Sequence, residues 1–142
     1  MKSVRQLLQA KGRDIHSIAP EARVIEALKL MAEKNVGALV VTEGGKLAGI
    51  LSERDYARKV ILLNKSSHEI AVREIMTAKV ITVTPDNTVE ECMALMTGKR
   101  IRHLPVVEGE RLAGLLSIGD LVKEVIAEQE QTIKQLESYI HS

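Results

Sequence analysis

The sequence predicts a mixed α/β fold, of α+β type: two copies of one β-α-β-β-α unit related by a pseudo-two-fold axis and joined in one compact module. Three observations predict it. The segment Ile15–Arg58 aligns without a gap with Val80–Lys123, and more than a third of the paired positions are identical. Among the identities are Pro20/Pro85, Val24/Val89, Met31/Met96, Gly49/Gly114, Ser52/Ser117 and Asp55/Asp120. Within each copy, a helical apolar rhythm gives way to short apolar runs bounded by glycine, the pattern of a helix followed by a hairpin. A duplicated unit buries its apolar face against its twin, so equivalent clefts are expected twice.

The elements follow in order. Segment 1–14 is a lead-in whose Val4, Leu7 and Leu8 share one face of a short helix. The first repeat occupies 15–63. It begins with an extended piece, Ile15–Ile18, which Pro20 ends. Val24, Ala27, Leu28, Met31 and Ala32 then recur at the spacing of one helix face. Two apolar runs, Ala38–Val41 and Leu47–Leu51, are joined by the turn Glu43-Gly44-Gly45-Lys46. A closing helix starts at Ser52. Residues 64–79 read as a polar linker ending in a short turn at Met76. The second repeat, 80–123, follows the same plan. Its extended piece is Val80–Val83, its helix face carries Val89, Cys92, Met93 and Met96, and its hairpin runs are Leu104–Val107 and Leu112–Leu116. The tail, 124–142, continues the last helix. Val122, Ile126, Ile133, Leu136 and Ile140 keep a heptad-like rhythm with Gln129 in the gap. That stripe either packs on its own domain or meets a second subunit.

Composition narrows the function classes. The chain carries 20 basic and 19 acidic residues for a net charge of +1, which supplies no field for nucleic acid or an anionic membrane. Tyr56 and Tyr139 are the whole aromatic complement, so stacking platforms for single strands are missing and any purine must be held between aliphatic side chains. The single cysteine, Cys92, excludes an internal disulfide and sits on an apolar helix face as core. The N-terminal residues lack the apolar run of a secretory signal, and the longest apolar stretches fall far short of a membrane span. A cytoplasmic protein is expected. The four histidines stand apart without metal-ligand spacing, and neither a phosphate loop nor a nucleophile elbow is present, so no catalytic or metal residue is assigned and no enzyme is expected.

The most informative motif is Gly-apolar-Leu-Ser-x-x-Asp, at Gly49–Asp55 and again at Gly114–Asp120. It falls where a strand ends and a helix begins. A helix start favours an anion. Ser52 and Ser117 offer hydroxyls, while Asp55 and Asp120 offer carboxylates able to take both hydroxyls of a ribose. The same Ser-x-x-Asp spacing is also a capping box, and the two roles are compatible. A second signal is Arg102-His103-Leu104-Pro105, leading into a strand of the second copy. Its counterpart in the first copy has the small residues Gly37 and Ala38, so the two clefts are not equivalent. Arg102 and His103 suit phosphate, while for Arg100 and Arg102 the alternative is a solvated helix end. Arg54, early in a helix where a cation opposes the dipole, either reaches a phosphate or pairs with a neighbouring carboxylate.

Taken together, these motifs resemble a tandem pair of CBS domains, the unit named after cystathionine β-synthase and also called a Bateman module. The resemblance covers about 15–123. It rests on Pro20-Glu21 and Pro85-Asp86, on Leu104-Pro105-Val106-Val107, and on the repeated Gly-x-x-Ser-x-x-Asp. Ser52–Tyr56 and Arg102–Pro105 also resemble stretches of the small stand-alone bacterial CBS-pair proteins. The resemblance implies a regulatory sensor for adenosine-containing nucleotides, NAD(H) or AMP first, with ATP, ADP or S-adenosylmethionine as further ligands. It implies that Asp55 and Asp120 hold ribose hydroxyls and that Ser52 and Ser117 hold ribose or phosphate oxygens. Strand edges at Ser17, Ala38, Thr82 and His103 would flank the adenine. Arg102 and His103 stand where the γ subunit of AMP-activated kinase has its phosphate-contacting basic pair, in reversed order. A homodimer is implied, together with a regulated partner protein. A ligand-independent dimerisation or adaptor module is the alternative.

Overall fold

The computed structural model describes residues 2–12 and 14–141; Met1, Arg13 and Ser142, which belong to the lead-in and the tail, lie outside the described residues. The chain is a mixed α/β structure of two repeats. The first holds β1 (Ser17–Ile18), α2 (Val24–Lys34), β2 (Ala38–Glu43), β3 (Lys46–Ser52) and α3 (Glu53–Leu63). The second holds α5 (Val89–Lys99), β4 (His103–Glu108), β5 (Arg111–Ser117) and the long α6 (Ile118–His141). Two short helices precede the repeats, α1 (Val4–Lys11) and α4 (Val72–Ile75).

Both hairpins have the same register and the same irregularity. Ala38 pairs with Ser52 and His103 with Ser117, and a register shift falls at Val41/Thr42 and again at Val106/Val107. Gly44 and Gly45 both take positive φ, at 60° and 79°, which a primed hairpin turn requires. Helices α2 and α5 end alike, at Asn35 and Arg100 in the left-handed region. Thr88 and Glu91 form a full capping box on α5, and Ser3 and Gln6 form one on α1.

The lead strands differ, and the expectation of two is corrected. In the first repeat, β1 runs parallel to β2, with Ser17 opposite Val40 and Ile18 opposite Val41. In the second, the expected strand Val80–Val83 shrinks to one bridge, Val83 to Val106. Pro105 is the reason. Val40 donates its N–H to His16 O at 3.3 Å, whereas Pro105, at the matching position, has no N–H to give. Pro105 still accepts from Val83 N at 3.1 Å, so the bridge survives without its neighbour.

The two short helices exchange places across the module. Helix α1 precedes the first repeat but packs on the second: Val4, Leu7 and Leu8 belong to one core with Val89, Cys92, Met96, Leu104, Leu116 and Leu121. Helix α4 precedes the second repeat but packs on the first, where Ile70, Val72 and Ile75 join Val24, Met31, Leu39 and Leu51. The docking is the same twice. Val4 N–H donates to Asn87 O and Arg5 N–H to Pro85 O, as Val72 N–H donates to Ala22 O and Arg73 N–H to Pro20 O. Arg5 then pairs with Asp86 and Glu108, and Arg73 with Glu21 and Glu43. Each half is therefore closed by a helix delivered from the other side of the chain, which makes the two halves one folding unit.

Candidate functional site

Two clefts lie where the repeats meet, and each takes its walls from both. The first has a volume of about 920 Å³ and is lined by Ser52, Asp55, the start of α3, Thr77, Lys79, Val80, Ile81 and Arg100–His103. The second, about 400 Å³, is lined by Ser117, Asp120, Lys11, Asp14–His16 and Asn35–Ala38, and also by His103. Gly37 and His103 line both, so they form the wall between them. These volumes fall in the usual range for small-molecule sites.

The repeated Ser and Asp are both caps and cleft walls. Asp55 Oδ2 accepts from Ser52 N–H and from Ser52 Oγ, each at 3.0 Å, and Ser52 Oγ accepts from Asp55 N–H at 3.1 Å. Asp120 Oδ2 accepts from Ser117 N–H at 2.8 Å, and Ser117 Oγ accepts from Asp120 N–H at 3.2 Å. The helix starts are therefore less open to an anion than the motif alone suggests. Glu53 N–H is also taken, by Gly37 O at 3.0 Å, and Ile118 N–H by Arg102 O at 2.8 Å. Each carboxylate nevertheless borders its cleft, half-buried, while one of its oxygens is held by the cap.

A lysine steadies each aspartate, and the two lysines come from different places. Lys59, one turn along α3, reaches Asp55 Oδ1 at 3.3 Å and donates to Ile75 O at 3.0 Å. Lys11, at the end of α1, donates to Asp120 Oδ2 at 2.6 Å and to Leu115 O at 2.7 Å. The repeat makes Leu115 the twin of Ile50, whose carbonyl instead accepts Thr77 N–H at 2.9 Å. An ammonium thus stands in the second cleft where the first has a backbone amide. Burial pushes the Asp120 carboxyl up, but hydrogen bonds from Lys11 and Ser117 outweigh it and hold the pKa below the ordinary carboxylate value. The His103 imidazole is pushed below its ordinary value, by desolvation first and then by Lys11 and Arg102, against the pull of Asp120 and Asp55.

The first cleft is strongly basic within a nearly neutral chain. Arg54, Arg58, Lys79, Arg100 and Arg102 line it, and none of the ion pairs among the described residues involves any of them. Arg54 therefore does not spend its charge on a neighbouring carboxylate. Arg100 also holds φ 55°, a left-handed conformation that disfavours a long side chain at a helix end.

Of the residues singled out from sequence, Ser52, Arg54, Asp55, Arg102 and His103 meet in the first cleft, and Ala38, His103, Ser117 and Asp120 in the second. Ser17, Thr82, Leu104 and Pro105 line neither. Ser17 and Thr82 are exposed, while their neighbours His16 and Ile81 face the clefts, as alternation along an extended segment requires. Leu104 and Pro105 are buried in the second repeat. The reading from sequence missed Lys11, Lys59, Thr77 and Lys79. A signal for two of them was present: Val4-Arg5-Gln6-Leu7-Leu8 and Val72-Arg73-Glu74-Ile75-Met76 are a further repeated pair, and Lys11 and Lys79 follow them at equal distance.

The family model for the CBS domain matches residues 4–62 and 72–127. The chain belongs to the CBS domain family, as a tandem pair. The matched spans begin at α1 and α4, the two exchanged helices. The chain is 40% identical over 147 residues to the mitochondrial CBS domain-containing protein CBSX3 of Arabidopsis thaliana, covering 97% of this chain and 71% of that one. A solved structure of a protein with CBS domains from Burkholderia ambifaria is 55% identical with a TM-score of 0.87, covering 90% of this chain and 96% of that one. The CBS domain pair of protein MJ0100, solved in complex with 5′-methylthioadenosine and S-adenosyl-L-methionine, is 26% identical with a TM-score of 0.80, covering 90% of this chain and 98% of that one.

Proposed function

We propose that this CBS pair is a regulatory sensor that binds an adenosine-containing nucleotide in the clefts between its repeats, acts as a homodimer, and is not an enzyme. The first cleft carries the reading: Ser52 and Asp55 share it with five cations that take part in no ion pair among the described residues. A ribose on Asp55 and a phosphate on the arginines would use both sides at once. NAD(H) and AMP fit first because each joins a ribose diol to phosphate. The adenosine ligands of the MJ0100 pair support the same class. A sulfonium such as that of S-adenosylmethionine would be repelled by the first cleft. In the second, Asp14 and Asp120 stand beside Lys11, which suits an adenosine carrying less negative charge. The single buried Cys92 suits a cytoplasmic location, and no helix of the described residues is long and apolar enough to cross a membrane.

Ligand binding would bridge the halves and shift their packing, which a partner protein can read. Isothermal titration of protein stripped of co-purifying nucleotide, with AMP, ATP, NAD, NADH and S-adenosylmethionine, tests the reading. Micromolar or tighter binding of a phosphate-bearing member is expected, weakened by Arg102→Ala. Absence of heat with all five would overturn it. The exposed apolar stripe on α6 favours a second reading, a ligand-independent dimerisation module, and the same titration separates the two.

A further inference from the structure

Helix α6 continues well past the module it closes. Its first turns pack into the second core through Leu121, yet on another face Val122, Ile126, Ile133, Leu136 and Ile140 are between 41% and 74% exposed. Monomeric proteins scatter exposed apolar residues singly. These fall on one seam. Ile126, Ile133 and Ile140 take heptad position a, and Val122, Gln129 and Leu136 take position d. From Val122 to Ile140 the seam is about 27 Å long at 1.5 Å per residue.

A second observation lies beside it. An apolar groove of about 600 Å³ runs between α5 and α6, with Val89 and Met93 on one wall and Val125, Gln129 and Ile133 on the other. The groove opens onto the seam, so a helix laid on the seam would also fill it.

We propose that this surface takes the same helix of a second copy, antiparallel. The proposal rests on the homodimer part of the functional reading and adds its interface and orientation. In the antiparallel register every a position meets a d position: Val122 faces Ile140 of the second copy, Ile126 faces Leu136, and Gln129 faces Ile133. The flanking charges choose this direction. Lys123 then faces Glu137 of the second copy, twice by symmetry, against one like-charge contact, Glu130 on Glu130, at the two-fold axis. In the parallel register Val125 would flank Glu130 and Thr132 would flank Glu137, with no opposite charges brought together. Lys123 and Glu137 lie about 21 Å apart on one helix, so they cannot pair within a chain. The helix that docks is the one whose first turn carries Asp120, so a ligand in the second cleft and the dimer contact act on one rigid element.

Sedimentation equilibrium of the full chain is expected to show a dimer, which Ile133→Asp combined with Leu136→Asp dissociates while circular dichroism stays unchanged. Both side chains are exposed in the monomer, so its fold does not depend on them. Lys123→Glu or Glu137→Lys alone weakens the dimer roughly fivefold to tenfold, and the two together restore it. Orientation is read by disulfide formation under mild oxidation. Glu130→Cys links the copies across the two-fold axis, and Ile126→Cys does not. Crosslinking by Ile126→Cys but not by Glu130→Cys means a parallel pair and overturns the proposal. A dimer that survives the double aspartate variant overturns it too, while leaving the homodimer reading standing. A wild-type monomer at 100 µM, roughly the weak end of specific association, sinks both.

Discussion

Replacing Asp120 with alanine separates the two roles that its geometry gives it. Its carboxylate takes part in the cap of α6 through Ser117 and in the 2.6 Å ion pair with Lys11. Loss of a cap costs about 0.5–2 kcal/mol. The ion pair is partly exposed, its side chains 37% and 23% accessible, so its loss adds at most about 1 kcal/mol. A total of about 1–2 kcal/mol lowers the melting temperature by roughly 3–6 °C in a chain of this size. Ligand binding should suffer more. A carboxylate that holds a ribose diol makes charge-assisted hydrogen bonds of about 1.5–3 kcal/mol, so removing it should weaken binding in the second cleft on the order of tenfold to a hundredfold. Ser117→Ala is the comparison: it deletes the hydroxyl that accepts Asp120 N–H but keeps the carboxylate, so it should share the cap's part of the thermal loss and cost less affinity than Asp120→Ala. Differential scanning fluorimetry and titration of adenine nucleotides measure both quantities. If Asp120→Ala lowers the melting temperature yet leaves every affinity at the wild-type value, the carboxylate is a cap and the ribose assignment fails.

Three other outcomes follow. Gly49→Ala should destabilise more than Gly114→Ala in urea unfolding: a Cβ at Gly49 meets Thr77 O at 2.7 Å, a backbone atom, whereas one at Gly114 meets the movable Leu8 Cδ2 at 2.7 Å. His103 binds a proton less readily in the fold than when unfolded, so the unfolded state gains protons first as pH falls. Wild-type stability should therefore decline as pH drops below about 6.5, and the urea midpoints of His103→Gln should show a shallower decline. The Cys92 thiol, fully buried and with its pKa raised to about 11 by burial first, should resist a thiol reagent at pH 8 until the chain is unfolded.

The duplication was legible because hairpins and amphipathic helices write themselves locally. The turn glycines, the period of α2 and α5, and the Ser-x-x-Asp starts all lie within a few residues of what they determine. The exchange of α1 and α4 was not legible in that way. Nothing local in Val4–Leu8 says that it packs on the second repeat, and the spacing from each short helix to the repeat that follows it differs between the copies, which ends the ungapped alignment at Ile15 and Val80. The lead strand of the second copy failed for the opposite reason. Val80, Ile81 and Val83 favour strands, but pairing needs a partner, and Pro105 withdraws the donor. Ser52, Asp55, Ser117 and Asp120, read from the repeated motif, all border the clefts. Ser17 and Thr82 were placed one residue off, because strand alternation turns them away from the clefts that His16 and Ile81 face.

What the duplication has not preserved is as informative as what it has. The two clefts keep the same aspartate and serine in the same cap, so the common part of a ligand should be held alike in both. The departures from symmetry that set the two clefts apart concern charge. Gly37 and Ala38 in one copy are Arg102 and His103 in the other, the lysine that holds the aspartate moves from α3 to α1, and Arg54 has Gly119 as its twin. The open first cleft gains cations, whereas the second is narrowed by an ion pair between Lys11 and Asp120. A ligand that engages Asp120 must share it with Lys11 or displace it, and displacement would release the end of α1, the helix that closes the second core. Occupancy of the smaller cleft is thereby tied to the packing of its half, and in the larger cleft Lys59 links Asp55 to the end of α4 through Ile75 O. His103 is set in the wall between them, where Lys11 and Asp120 from the second cleft and Arg102 and Asp55 from the first all act on its imidazole.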